Sequence, residues 1–219
     1  MNAKLEDVLS RLEKSRTTTH PFRWNVTPQG AHIVLERAYM CEVARRGRLY
    51  ISGAQLDDIL AKMAQLLTNP GCKLGAVLCG TYGNGKTTLL YALQNAINCL
   101  SEAGVCPSNY GIQIVDAVEL AYLAKDFDKF RAKMMYPCLG IEDMGREPQE
   151  ILDYGNRKSP IIELLEYRYA HLLPTFITTN LAPEDIGKEY DERIASRFRE
   201  TMEIIKFPDL AYRGSKKRE

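Results

Sequence analysis

The amino-acid sequence predicts an α/β fold in which a mainly parallel five-stranded sheet is flanked by helices and preceded by a small helical region. After Lys73, short apolar segments alternate with longer segments of helical periodicity, which is the pattern of parallel strands connected by helices. A glycine-rich motif directly follows the first apolar segment, and polar residues follow two others. Because ligands of such sheets bind beyond the carboxyl ends of the strands, these residues also locate a candidate site.

The composition excludes some classes of protein. The 219 residues include 29 Lys and Arg and 28 Asp and Glu, so the formal net charge is +1, which does not indicate a net-basic nucleic-acid binder but allows a local basic patch. The six cysteines form no C-x-x-C pair, so no zinc site is predicted. The charged N-terminus lacks a signal-peptide core, and no apolar run reaches the roughly 18 residues that span a membrane. We therefore expect a cytoplasmic protein.

Three helices are predicted in the first part of the chain, over residues 4–14, 30–46 and 54–67. In the first helix, apolar side chains recur at helical spacing and form one stripe, which consists of Leu5, Val8, Leu9 and Leu12. The third helix is expected to stop before the turn Asn69-Pro70-Gly71. Because the composition changes there, we divide the chain into a helical N-terminal region, residues 1–70, and a core domain, residues 71–219.

The core domain is predicted to alternate strands and helices. The strands cover residues 74–79, 111–116, 138–143, 174–180 and 201–207, and the helices cover residues 86–103, 117–134, 159–172 and 189–199. Each strand is a short apolar run bounded by glycine or polar turn residues. Pro160, near the start of the third core helix, is typical of a first helical turn.

The phosphate-binding motif G-x-x-x-x-G-K-[ST] occurs at residues 80–87, between a predicted strand and a predicted helix. Its glycines let the backbone wrap phosphate oxygens, and the helix N-terminus adds positive potential. Lys86 is expected to reach the β- and γ-phosphates, and the Thr87 hydroxyl to bind Mg²⁺. The predicted nucleotide-binding residues are Gly80, Thr81, Tyr82, Gly83, Asn84, Gly85, Lys86, Thr87 and Thr88.

Polar residues at the ends of two later strands complete the predicted site. A P-loop protein needs one carboxylate for the metal ion and usually another for the attacking water. We assign Glu142 to Mg²⁺, together with Thr87, and Asp143 to the water. Asn180 is expected to hold the same water, although an asparagine there also fits a helix cap. Because glutamate is one methylene longer than the usual aspartate, slow hydrolysis is compatible with this site.

Arg193 and Arg197 lie four residues apart and share one face of the last predicted helix. An arginine supplied by a neighbouring subunit stabilises the charge on a transferring phosphoryl group. On spacing alone, the same pair also fits surface ion pairs with nearby carboxylates. The candidate partners are Glu189, Glu192 and Glu200.

Together these residues resemble the AAA+ ATPases of the DnaC-type bacterial helicase loaders and the related IstB-type transposition helpers. The resemblance rests on KLGAVLCGTYGNGKTTLLYAL, LGIEDMGRE, LLEYRYAHLLPTFITTNL, DERIASRF and IKFPDLAYR. These stretches occur in this order within residues 73–213. They make the resemblance more specific than a phosphate-binding motif alone.

The resemblance implies a role for each group of residues. Residues 80–88 would be the Walker A loop, Glu142 and Asp143 the Walker B motif, Asn180 sensor 1, and Arg193 or Arg197 the arginine finger. It also implies ATP and Mg²⁺ as cofactors and an ATP-dependent homo-oligomer. Residues 71–219 would form the ATPase core, and residues 1–70 would bind the protein partner. Tyr82 and Glu142 depart from the family pattern, which usually has a small residue or proline and an aspartate at these positions.

The resemblance predicts an ATPase that acts in DNA replication by delivering a replicative helicase to single-stranded DNA. The alternative within the family is a transposition helper that binds duplex DNA and a transposase. An assembly switch with negligible turnover also fits, because Glu142 is atypical. A small-molecule kinase would need a lid with arginines and a GTPase an N-K-x-D segment, and the sequence shows neither.

Three further segments are candidates for partner contacts. Basic residues that follow the second core strand would face nucleic acid in this family, although interleaved aspartates also fit a solvated surface. They are Lys125, Lys129, Arg131 and Lys133. The basic tail, residues 213–218, would add salt-sensitive affinity for nucleic acid. The apolar stripe of residues 4–14 is expected either to dock a helicase or to pack on the protein's own core.

Overall fold

The computed structural model describes residues 3–15, 22–107, 111–153 and 155–208, so the basic tail at 213–218 lies outside the described residues. The helices in this part of the chain are α1 (Ala3–Ser15), α2 (Pro28–Arg45), α3 (Ala54–Thr68), α4 (Lys86–Glu102), α5 (Ala117–Leu123), α6 (Phe127–Met134), α7 (Pro160–Ala170), α8 (Ile186–Glu189) and α9 (Glu192–Thr201). The strands are β1 (Gly75–Cys79), β2 (Gln113–Asp116), β3 (Leu139–Met144), β4 (Ile151–Asp153), β5 (Asn156–Lys158), β6 (Thr175–Thr179) and β7 (Met202–Lys206). None of the helices in the described ranges is long and apolar enough to cross a membrane.

Five strands form one parallel sheet in the order β2-β3-β6-β1-β7. Every residue of β1 is buried, and Val77 is aligned with Ile177 on one side and with Ile204 on the other. Such continuous burial is typical of a parallel strand that is covered by helices on both faces. The predicted five-stranded α/β fold is therefore confirmed. The carboxyl ends of all five strands lie at one edge of the sheet, which we call the carboxyl edge, and the opposite edge is the amino edge.

The pleat of β1 divides the core into two clusters. Ala76 and Leu78 belong to the cluster that contains α2, α3 and α4, whereas Val77 and Cys79 belong to the cluster that contains α5, α6, α7 and α9. In the first cluster, helices from before residue 70 (α2 and α3) and from after it (α4) share one core, which also contains Trp24. The predicted domain boundary thus does not coincide with a break in packing. The assignment of residues 1–70 to partner binding stays a prediction.

Three side chains of the apolar stripe on α1 are solvent-exposed. Leu5, Val8 and Leu9 are 48%, 49% and 46% exposed, respectively. These three side chains are therefore not buried on the protein's own core, which was one of the two alternatives for the stripe. Docking of a partner, the other alternative, stays a prediction.

Two predicted helices differ from those in the structure, and one hairpin was missed. The helix predicted over 117–134 is divided in two, because the Asp126 carboxylate accepts a hydrogen bond from the Lys129 backbone N–H and starts α6. The helix predicted over 189–199 is replaced by α8 and α9, and Asp191 caps the second of them. The hairpin β4–β5 was not predicted, because strands of three residues show no recognisable alternation.

Candidate nucleotide-binding site

Two glycines of the loop between β1 and α4 have backbone angles and close neighbours that exclude a side chain. Gly80 and Gly85 have φ angles of 151° and 99°, which L side chains rarely adopt. A Cβ atom at Gly80 would collide with Asn84 Nδ2, and one at Gly85 would collide with Tyr39 Oη. The loop is therefore shaped by its own asparagine and by a side chain of α2, and it leads into the positive N-terminus of a long helix.

Lys86 is buried at the start of α4, where it is 5% exposed. Its ammonium donates to the carbonyl oxygens of Gly80 and Thr81, both at 2.7 Å, and to Asn84 Oδ1 at 3.1 Å. It also donates to Asn180 Oδ1 at 3.0 Å, so the ends of β1 and β6 meet here as the sequence predicted. None of these four acceptors carries a formal charge.

Glu142 lies near the carboxyl end of β3 and faces α4. The Tyr91 phenol donates a hydrogen bond to Glu142 Oε2 at 3.1 Å. Burial raises the pKa of Tyr91, and the negative charge of Glu142 raises this pKa further, so the phenol keeps its proton at neutral pH. Thr87 lies one helical turn before Tyr91 and lines the same cavity as Glu142. The two residues predicted to bind Mg²⁺ therefore face a common space.

Asp143 has a backbone φ of 57°, which is strained for a residue with a side chain and costs about 1–3 kcal/mol. Its backbone N–H donates to Thr178 Oγ1 at 2.9 Å, and the pairing between β3 and β6 shifts register after Ile141. The carboxylate forms an ion pair with Arg146, whose Nη1 atom lies 2.8 Å from Asp143 Oδ2. The carboxylate predicted to activate water is thus held by an arginine that is 53% exposed.

Most of the predicted residues line one cavity of about 370 Å³ at the carboxyl edge, a volume that is typical of small-ligand sites. These lining residues are Tyr82, Gly83, Asn84, Gly85, Lys86, Thr87, Thr88, Glu142, Asp143 and Asn180. Gly80 and Thr81 instead support the cavity from behind, because their carbonyl oxygens hold Lys86.

The rest of the cavity wall comes from α2, the start of α3 and the segment between them, which sequence reasoning missed. These residues are Tyr39, Val43, Arg46, Arg48, Leu49, Tyr50, Ile51 and Leu56. The rings of Tyr39 and Tyr50 pack edge to face with 6.3 Å between their centroids. Aromatic, aliphatic and basic side chains together suit the base and ribose of a nucleotide. The only signal in the sequence is the mixture of these residue types in RGRLYIS (46–52), which matches no motif.

Two arginines that pair with one buried carboxylate fix this wall. Glu42 is 1% exposed and accepts hydrogen bonds from Arg45 at 2.7 and 2.8 Å and from Arg46 at 2.8 Å. Burial alone would raise the pKa of Glu42, but the hydrogen bonds and charges of the two arginines lower it below its ordinary value. The Arg46 guanidinium also lies over the Tyr91 ring, 5.7 Å from its centroid. The end of α2 is thus tied to α4 next to Glu142.

The cavity offers hard oxygen ligands for a divalent cation, namely the Thr87 hydroxyl and the Glu142 carboxylate. Within the described ranges, no group of three or more His, Cys, Asp or Glu is placed to hold a metal ion. Mg²⁺ usually takes one or two protein groups and completes its shell with water and substrate phosphates. The two oxygen donors therefore fit a cation that binds together with a nucleotide.

Arg193 and Arg197 lie on α9, outside this cavity. Both guanidinium groups contact the carboxylate of Glu166 on α7, Arg197 at 3.0 Å. Arg197 also lies over the Tyr169 ring, 4.7 Å from its centroid. Ion pairing of the arginines is confirmed, but the predicted partners were wrong, because both guanidinium groups reach a carboxylate on α7 rather than one close to them in sequence. Action of either arginine on a neighbouring subunit stays a prediction.

The basic segment after β2 also carries exposed aromatic rings. Tyr122 and Phe127 are 55% and 65% exposed. Lys125 Nζ lies 5.9 Å from the centroid of the Tyr122 ring, and the Arg131 guanidinium lies 5.9 Å from that of Phe127. Lys129 pairs with the aspartate that caps α6, at 2.7 Å. One of the four basic residues thus belongs to a solvated ion pair, while two others form an aromatic and basic face.

Comparison with solved structures identifies the fold. The DnaC helicase loader is 22% identical, with a TM-score of 0.58 over 73% of this chain and 94% of the loader. A putative primosome component from Streptococcus pyogenes serotype M3 is 18% identical, with a TM-score of 0.56 over 84% of this chain and 99% of that chain. The replication initiator DnaA bound to AMPPCP and single-stranded DNA is 16% identical, with a TM-score of 0.50 over 72% of this chain and 48% of the initiator. No protein-family model and no curated protein matches the sequence. The chain thus has the AAA+ type of P-loop NTPase fold, which confirms the predicted resemblance at the level of the fold.

Proposed function

We propose that this protein binds ATP with Mg²⁺ and hydrolyses it, and that it acts in DNA replication by delivering a replicative helicase to single-stranded DNA. The observation that carries the ATPase part is the convergence of Lys86, Asn180, Glu142 and Asp143 on one cavity at the carboxyl edge. The strands β3, β6 and β1 are neighbours in the sheet, so the polar residues that follow them meet around the loop.

Each residue has a distinct role in the proposed reaction. The loop N–H groups and Lys86 bind the β- and γ-phosphates, and the ammonium exchanges some of its carbonyl partners for phosphate oxygens. Thr87 and Glu142 hold Mg²⁺, which when bound neutralises charge on the phosphates. Asp143 accepts a proton from the attacking water, and Asn180 orients that water.

Asp143 has to leave Arg146 before it acts as a base. An ion pair with an exposed arginine is weak because water screens it, so Asp143 is released readily once nucleotide and a neighbouring subunit complete the site. That subunit would supply Arg193 or Arg197 to the γ-phosphate, in an ATP-dependent homo-oligomer. We therefore expect slow hydrolysis by isolated subunits and faster hydrolysis by the assembly.

Calorimetry with the Lys86→Ala variant tests the ATPase proposal. We expect ATP binding to fall below detection with an unchanged circular-dichroism spectrum, because the variant lacks the cation of the loop. The matched control is Lys62→Ala, which removes a surface lysine paired with Asp58 and is expected to bind ATP like the wild type. Tight binding of ATP by Lys86→Ala would contradict the site, and no binding by the wild type would contradict the proposal.

Single-stranded DNA is proposed to bind the face formed by Tyr122, Phe127, Lys125 and Arg131. Bases stack on exposed aromatic rings, and basic side chains contact phosphates. The DnaA structure with similar fold contains single-stranded DNA as well as AMPPCP, an analogue of ATP. A role on chromosomal DNA is also the reason for proposing a cytoplasmic location.

Fluorescence anisotropy with a labelled oligonucleotide tests the DNA contact. The double variant Tyr122→Ala/Phe127→Ala should bind at least about 30-fold more weakly, since each of the two rings contributes about 1–3 kcal/mol by stacking on a base. Leu152→Ala is the control, because Leu152 is equally exposed but lies on the β4–β5 hairpin. Preferential binding of duplex DNA and of a transposase would instead favour a transposition helper.

The helicase is proposed to bind α1 at the exposed side chains of Leu5, Val8 and Leu9, as an apolar groove binds an amphipathic helix. The variant Leu5→Ser/Leu9→Ser should lose the helicase in size-exclusion chromatography but keep its melting temperature, because these side chains are not buried. Arg11→Ser, on the same helix, is the control. A large drop in melting temperature, or retention of the helicase by the double variant, would contradict this docking role.

A further inference from the structure

Tyr91 contacts Glu142, which stands in the proposed metal-binding position where an aspartate is usual. Its phenol donates to Glu142 Oε2 at 3.1 Å, and its ring lies 5.7 Å from the Arg46 guanidinium. Tyr91 follows Thr87 by four residues on α4, so both side chains lie on the same face of the helix. The hydroxyl proposed for the cation and the phenol are therefore neighbours on one side of Glu142.

A glutamate in this position needs a partner that an aspartate does not need. It has one more rotatable bond, so its carboxylate occupies more positions unless a second group holds it. Mg²⁺ demands nearly ideal octahedral geometry, and partners that orient a metal ligand strongly affect metal affinity. The bond from Tyr91 fixes Oε2 of Glu142, and we assign the other oxygen, Oε1, to the cation.

We propose that Tyr91 is a positioning residue that orients the Glu142 carboxylate for the divalent cation, and that Arg46 holds the Tyr91 ring in place. This inference rests on the proposed binding of ATP with Mg²⁺. The role depends on the length of glutamate, because aspartate is shorter by one carbon–carbon bond, about 1.5 Å, which puts its oxygens beyond hydrogen-bond reach of the phenol.

The test uses Mn²⁺ as the cation and measures its binding to the protein–ADP complex by electron paramagnetic resonance. Tyr91→Phe keeps the ring and its contact with Arg46 but removes the hydroxyl. We expect this variant to bind Mn²⁺ about tenfold more weakly, as for other residues that orient a metal ligand. Binding of ADP in EDTA and the melting temperature should stay at their wild-type values. Tyr169→Phe is the matched control, because it removes a phenol on α7 that donates to another glutamate, Glu200, at 2.8 Å; it should leave Mn²⁺ affinity, ADP binding and the melting temperature unchanged.

The dependence on glutamate is tested in the Glu142→Asp background. There, Tyr91→Phe should change Mn²⁺ affinity less than about twofold, because the two residues no longer interact. An equal loss in both backgrounds would overturn the inference, and so would wild-type Mn²⁺ affinity in Tyr91→Phe. Weaker ADP binding in EDTA or a lower melting temperature would show that Tyr91 only supports the cavity wall, which also overturns it. No cation-dependent nucleotide binding by the wild type would overturn both this inference and the proposed function.

Discussion

Lys86 and Arg168 are two cations buried at opposite edges of the same sheet, and both donate hydrogen bonds to carbonyl oxygens. Lys86 lies at the carboxyl edge. Arg168, at the amino edge, is 1% exposed and donates to the carbonyl oxygens of Met134, Tyr136 and Pro174 at 3.0, 2.8 and 2.6 Å. These bonds join the end of α6 to the start of β6. Burial lowers the pKa of Arg168 to about 10, so the guanidinium still carries its charge at neutral pH.

The space next to each cation separates their roles. Lys86 lines the cavity of about 370 Å³, whereas Arg168 lines one of about 10 Å³, which is hardly enough for one water molecule. A phosphate group has room at the first position and none at the second. A buried cation that donates to neutral oxygens therefore serves ligand binding at the carboxyl edge and stabilises the fold at the amino edge. Substitutions at the carboxyl edge should change ligand chemistry, and those at the amino edge should change stability.

The largest effect is expected for Arg168→Met. The substitution leaves several buried carbonyl oxygens without their donor, so we expect the free energy of unfolding to fall by about 3–5 kcal/mol. Urea denaturation measures this change. Arg157→Met, at an arginine 77% exposed on β5, is the control and should stay within about 0.5 kcal/mol of the wild type. A loss below about 1 kcal/mol for Arg168→Met would remove the distinction between the two edges.

Asp143→Asn should show the opposite pattern, with lower turnover and unchanged stability. Asparagine keeps the shape of the side chain and tolerates a positive φ, but it does not accept a proton from water. We expect ATP hydrolysis to fall about 100-fold with ATP affinity unchanged, as measured by phosphate release and calorimetry. The control is Asp58→Asn on α3, where the carboxylate is exposed. Unchanged turnover would exclude Asp143 as the base.

Substitutions of the two arginines of α9 should also have different effects, one on turnover and the other on stability, because this helix runs between the two edges. Arg193 is 62% exposed, whereas Arg197 is 22% exposed and lines the small cavity next to Arg168. We expect Arg193→Ala to lower turnover about tenfold, below the 10³–10⁵ of a complete arginine finger because Arg197 is close. Arg197→Ala should instead lower the free energy of unfolding by about 1 kcal/mol.

Mixing experiments show whether Arg193 acts between subunits. Arg193→Ala protein mixed with Lys86→Ala protein should recover part of the turnover, since each variant supplies what the other lacks. Arg199→Ala, on the same helix, is the control and should hydrolyse ATP like the wild type. Oligomers that form without any recovery of turnover would argue against a shared site for Arg193. If only the mixture of Arg197→Ala with Lys86→Ala protein recovered turnover, Arg197 would be the arginine that acts between subunits.

The smallest effect concerns cysteines, one near each edge. Burial raises the pKa of Cys79 to about 11 and that of Cys138 to about 12, so both thiols stay protonated at pH 8. We expect a thiol reagent to modify Cys41 and Cys99, which are exposed, and to leave Cys79 and Cys138 unmodified in the folded protein. Mass spectrometry of the labelled protein gives the positions. Rapid labelling of Cys79 but not of Cys138 would show that the carboxyl edge opens more often than the amino edge.

The sequence by itself determined the parts of this protein that depend on neighbouring residues. The apolar run before Gly80 and the helical spacing after Lys86 place a strand, a loop and a helix in order, and Gly80 and Gly85 allow the φ angles of the loop. The parallel sheet then brings Glu142 and Asn180 to the same edge. These features follow from backbone geometry and side-chain periodicity, both of which act over a few residues.

Only the tertiary structure decided which distant side chains meet. The Tyr39 hydroxyl leaves no room for a side chain at position 85. Tyr91 donates to Glu142 across 51 residues of sequence, and Arg193 pairs with Glu166 rather than with its neighbours on the chain. Such contacts depend on how helices pack on the two faces of the sheet, and many different residues satisfy that packing equally well. A tyrosine or a glutamate therefore carries no local sign of its partner, and the cavity wall from α2 became visible only once the helices were in place.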